Sequence, residues 1–72
     1  MAKLEPLSEV AILRDLPERG LARGQVGTVV ETLSPEAAEV EFIDDEGHTY
    51  ATVALRSDEL IRLHHRPLEE VA

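Results

Sequence analysis

Apolar residues in this chain fall in short runs of strand length, and several of the runs alternate with polar positions. Glu9 to Arg14 (EVAILR) is the first, with the β-branched Val10 and Ile12 two apart, and it predicts a strand over 9–14. Pro17 and Gly20 then break the pattern, so residues 15–25 read as a loop rather than a helix. Val26 to Thr32 (VGTVVET) is dense in β-branched residues and predicts a second strand, ended by a turn at Ser34-Pro35-Glu36. Glu39 to Ile43 (EVEFI) alternates charge with apolar side chains. That spacing predicts a half-buried third strand, Val40 and Phe42 inward and Glu39 and Glu41 outward. Asp44-Asp45-Glu46-Gly47 is a polar turn with glycine last, leading into a fourth strand over His48 to Leu55. Ser57-Asp58-Glu59-Leu60 suits one helical or 3-10 turn, and Ile61 to Leu63 a fifth strand. Residues 1–8 are an extended lead-in, and 64–72 a tail of mixed charge around Pro67.

Five short strands, a long first loop and a 3-10 turn before the last strand describe one all-β domain over residues 1–72. The expected form is a small five-stranded antiparallel barrel of the SH3-like kind. Gly24 and Gly27 would let the first loop turn tightly and bring the second strand close to a neighbour. A chain of 72 residues buries only roughly 60% of its unfolded surface. Phe42 and Tyr50 are its only aromatic residues, so aliphatic side chains must fill a small core. Apolar area left on an edge strand or the tail is expected to pair with a second copy, making a homo-oligomer.

Charge narrows the partners. Seven Lys and Arg against fifteen Asp and Glu leave a formal net charge of -8. Such a surface repels DNA and RNA at long range and attracts basic proteins. The absence of cysteine rules out a disulfide framework and a thiolate metal site. MAKLEPL is no secretory leader, and no stretch approaches the ~20 apolar residues of a membrane span, so a cytoplasmic protein with no membrane partner is expected.

Few side chains offer reaction chemistry. Asp44 to His48 packs oxygens and an imidazole into one run, but its spacing is not that of a calcium loop, and a polar hairpin turn is the simpler reading. His64 and His65 adjoin, so in extended chain they point to opposite sides and ligate one metal poorly. Ser8, Ser34 and Ser57 have no histidine nearby in sequence, and Gly20, Gly24 and Gly27 match no phosphate loop. No catalytic residue, cofactor or metal ligand is assigned, and the chain is expected not to be an enzyme. Arg14, Arg19 and Arg23 form the densest cationic cluster, diluted by Asp15 and Glu18 and without an aromatic residue to stack a base.

Three stretches, DLPERGLARGQVGTVVE, VEFIDDEGHTYATVAL and DELIRLHHRPLEEV, resemble domain of unknown function 4926, a family of small bacterial proteins, over nearly the whole chain. That resemblance implies a companion of another small protein encoded beside it, antitoxin-like or immunity-like. Leu21 to Phe42 also resembles the KOW element of ribosomal and transcription factors, and the small SH3-like subunits that ride on larger enzymes. The function expected is therefore a non-enzymatic module binding a basic protein. A KOW-like nucleic-acid or ribosome-associated module and a structural subunit of a larger complex are the alternatives. Partner-binding candidates are Glu39, Glu41, Asp44, Asp45 and Glu46, with Arg19 and Arg23 for the nucleic-acid alternative.

Overall fold

The computed structural model describes residues 4–65 and 67. Five antiparallel strands form one sheet: β1 (Glu9–Ile12), β2 (Val26–Ser34), β3 (Ala37–Ile43), β4 (Thr49–Arg56) and β5 (Leu60–Arg62), in the order β4-β3-β2-β1-β5. Two 3-10 turns, Pro17–Arg19 and Ser57–Glu59, are the remaining regular elements among the described residues. No helix among them is long and apolar enough to cross a membrane.

All five expected strands are present with shifted ends. β1 stops at Ile12 rather than Arg14: the Leu13 amide still donates to the carbonyl of Glu59, but Ser57–Glu59 is a 3-10 turn and offers no strand to pair with beyond Leu60. β2 runs on to Ser34 and β3 starts at Ala37, so the β2–β3 turn is tighter than the Ser-Pro-Glu signal suggests. β4 runs Thr49–Arg56, and β5 occupies Leu60–Arg62 rather than 61–63. The loop before β2 contains the 3-10 turn Pro17–Arg19, nucleated by proline at its first position.

The expected closed barrel is not what forms. β4 and β5 end the strand order, and no pairing joins them among the described residues. Three residues, Ser57–Glu59, carry the chain from β4 to β5, so the two ends of the sheet meet at that corner. Beyond it β5 runs along β1, with Ile12 opposite Leu60 and Val10 opposite Arg62, and β4 has no strand on its outer edge among the described residues. The result is a rolled, open sheet.

Three bulges curve that sheet. Val30 and Leu33 are extra residues of β2 against β3, and Tyr50 is an extra residue of β4 against β3. A bulge adds local twist and bends its strand. The inserted side chains all remain exposed.

Alternation is strict on β3, where Ala38, Val40 and Phe42 are buried and the odd-numbered residues face out. Phe42, Ile12, Val10, Val29 and Val40 are the largest fully buried side chains, joined by Val53, Leu55 and Leu60. Gly27 lies over this layer, and a Cβ there would come within 2.6 Å of Val40 Cγ1 and 2.9 Å of Phe42 Cε2. Glycine at this point lets β2 approach β3 closely. The lead-in is packed too: Leu4 and Ser8 are buried, and the Leu7 amide donates to Val29 at 2.7 Å. Residues 1–3, 66 and 68–72, which include most of the expected tail, lie outside the described residues.

Candidate functional site

The strongest chemical feature is a row of carboxylates on the outer face of β2 and β3. Glu39 and Glu41 project from it, half-buried, as alternation requires. The bulge at Val30 shifts the register of β2 so that Glu31 lies directly opposite Glu39. Glu41 faces Thr28 on one side and Thr52 on the other, and accepts a hydrogen bond from the Thr49 hydroxyl at 2.9 Å. None of the three glutamates is in an ion pair among the described residues. Like charges directly opposite each other on a sheet are destabilising.

Beyond Ile43 the strand enters the acidic turn. Asp44 is not a free surface charge: its Oδ1 accepts the amides of Glu46 and His48, both at 2.9 Å, and holds the turn together. Asp45 and Glu46 are exposed. The turn also gathers Asp44, Glu46 and His48, whose ligand atoms lie within 4.8 Å of one another, with His48 Nδ1 3.9 Å from each carboxylate. One nitrogen and two carboxylate oxygens could contact a cation there, but all three side chains are exposed and water competes for every position. His65 is paired with Glu9 at the start of β1.

The arginine cluster of the first loop is divided by the fold. Arg14 binds Glu59, with its Nη2 2.6 Å and its Nε 3.0 Å from Glu59 Oε2. Arg19 and Arg23 have no ion-pair partner among the described residues, but the Arg23 amide is held by Asp15 Oδ1 at 2.8 Å. The loop under them is anchored by Leu16 and Leu21, both buried and bonded to each other through both backbone amides. Gln25 adds a further tie, its Nε2 donating to the Tyr50 hydroxyl at 2.7 Å.

Glu59 is the residue that sequence reasoning missed most completely. Its Oε1 accepts the Arg56 amide at 2.9 Å while Oε2 holds Arg14, so it pins the β4–β5 corner to the end of β1. The Arg56 amide, followed by the Arg14 guanidinium, holds its carboxyl below the usual glutamate value against the opposing effect of burial. A glutamate at the third position of the 3-10 turn, within reach of the Arg56 amide, was the only local signal; Arg14 lies 45 positions away. Beside this corner Arg56, Ser57, Asp58 and Leu60, with Leu4, Glu36, Ile61 and Arg62, line an open groove of about 590 Å³, in which Arg56 Nε lies 3.2 Å from Asp58 Oδ1.

No curated protein and no solved structure matches this chain. Residues 7–62, from the lead-in through β5, match the family described as domain of unknown function (DUF4926). With the whole sheet inside that match, the chain belongs to this family.

Proposed function

We propose that this chain is a non-enzymatic, SH3-like binding module of the bacterial cytoplasm whose acidic outer face, Glu31, Glu39 and Glu41 with Asp45 and Glu46 beside them, receives a basic protein. The observation that carries the reading is the Glu31–Glu39 pair, two carboxylates in direct cross-strand register with Glu41 next in line and no basic side chain paired with them among the described residues. A fold holds such a pair at a cost, and a cationic partner removes that cost on binding. The SH3-like assignment is supported by the strand order, the bulged and bent β2 and the 3-10 turn before the last strand.

A small protein encoded beside this one is the partner class favoured by the family resemblance, and neutralising it, as an antitoxin or immunity protein does, is the role that fits. The test is titration of the purified product of the adjacent open reading frame, and separately of RNA and DNA, at several salt concentrations. Binding of the protein, with an association rate that falls as salt rises and is slowed by Glu31→Lys with Glu39→Lys, supports the reading. Salt-dependent retention of nucleic acid that is lost in Arg19→Glu with Arg23→Glu and untouched by the glutamate variant overturns it in favour of the KOW-like alternative.

A further inference from the structure

β4 ends the sheet with an unusual edge. Residues 49–55 (TYATVAL) carry no charge, proline or glycine, in a chain of which 31% is charged. Edge strands are ordinarily protected by charge, proline or brevity, because their free amides and carbonyls template another strand.

Two hydrogen bonds identify the free groups. The Ser57 amide donates to Glu36 at 2.7 Å across the β3–β4 ladder, so by alternation the backbones of Leu55, Val53 and Ala51 also face β3. The Arg56 amide points the opposite way and is capped by Glu59 Oε1. Thr52 and Ala54 therefore present their N–H and C=O groups to the open edge, and their side chains are exposed. The edge is also polarised, with the acidic turn Asp44-Asp45-Glu46 before it and Arg56 at its end, an exposed guanidinium whose Nε lies 3.2 Å from the equally exposed Asp58 Oδ1, a pair that solvent weakens.

We infer that this edge pairs with the same edge of a second copy, antiparallel about a two-fold axis at Val53. In that register Thr52 of each copy faces Ala54 of the other, and the exposed N–H and C=O groups of both residues are consumed in hydrogen bonds. Arg56 then lies opposite Tyr50 of the other copy, beside its acidic turn, where both a ring face and carboxylates favour a cation. A parallel arrangement would set acidic turn against acidic turn. No like charges meet along 51–55, because none are present. A single strand pair buries less than the ~1,200 Å² of a stable interface, and the net charge of -8 on each copy opposes approach, so the dimer forms only in concentrated protein. The row Glu31, Glu39 and Glu41 on the outer face of β2 and β3 stays open in it, Asp45 and Glu46 being the residues that the dimer and the acidic-face reading share; the strand pairing itself does not depend on that reading.

The experiment is sedimentation equilibrium from micromolar to millimolar protein, with amide exchange followed residue by residue at both ends of the range. The expected result is a mass that rises toward twice the monomer, with Thr52 and Ala54 amides becoming protected as it does. Asp45→Lys with Glu46→Lys, and separately Arg56→Glu, should each leave a monomer, and an equimolar mixture of the two variants should form the heterodimer. A monomer at millimolar concentration overturns the proposal. So does concentration-dependent protection at Leu60–Arg62 instead of β4, or charge variants that self-associate as well as the native chain. The exchange measurement uses the native protein and holds even where a variant fails to fold.

Discussion

The loop of residues 13–25 and the turn of residues 44–48 are both rich in charge and bear glycine, yet one is built into the core and the other stands clear of it. In the first, Leu16 and Leu21 reach the interior and bond to each other, Asp15 holds the Arg23 amide, and Gly24, at φ +93, donates to Ile12. In the second, every side chain is exposed and the order comes from one aspartate bonding its own neighbours. Polarity in sequence therefore does not tell a structural loop from a free one. What separates them is whether apolar residues inside the loop can reach the core, and that depends on where the flanking strands bring its ends.

The largest expected effect is in the first loop. Leu21→Asp should unfold the domain, since an unpaired buried charge costs several kcal/mol and a domain of this size has about 5 kcal/mol in all. Val29→Asp and Phe42→Asp in the sheet core should do the same, which would place the loop and the core in one cooperative unit. A native circular dichroism spectrum and melting transition for Leu21→Asp would break the comparison. Next comes Gly27→Ala, whose methyl has no room beside Val40 and Phe42; a loss of about 1–3 kcal/mol in urea denaturation is expected. Asp15→Ala, which frees the Arg23 amide, should cost about 1 kcal/mol.

Acid sharpens the same contrast at the β4–β5 corner. The Glu59 carboxyl titrates lower in the folded chain than in the unfolded one. Its contribution to stability is thus complete above the unfolded-state value of about 4.3 and is lost as pH falls through the lower folded value. Glu59→Gln should lower stability at neutral pH and flatten the acid limb of the stability profile between those values. An unchanged limb would mean that the corner is held by other contacts. The smallest effect belongs to the exposed turn: Asp45→Lys with Glu46→Lys should shift folding stability by no more than about 0.5 kcal/mol, and a larger loss in thermal denaturation would show that the turn bears on the fold.

Much of the sheet is legible in the residues. The alternation of Glu39 to Phe42 correctly separates the outward acids from the inward core, and Asp44 to Gly47 marks the hairpin. The acidic face is legible only in part. Glu39 and Glu41 follow from period-two spacing, whereas Glu31 joins them through the bulge at Val30, a slip of one residue that no local pattern of β-branched side chains reveals. Asp44 has the composition of a surface charge but the role of a turn brace.

The sequence by itself determined the number of strands, the inner and outer faces of β3 and the glycine at the close β2–β3 approach, because these rest on the pleat and on steric limits that act over a few residues. Tertiary structure decided that the sheet stays open between β4 and β5, that Arg14 is bound by Glu59, and that Leu4, Leu16 and Leu21 complete the core. Each of these is a meeting of residues far apart in the chain. Register, bulges and the reach of loops select such meetings only after the strands have paired.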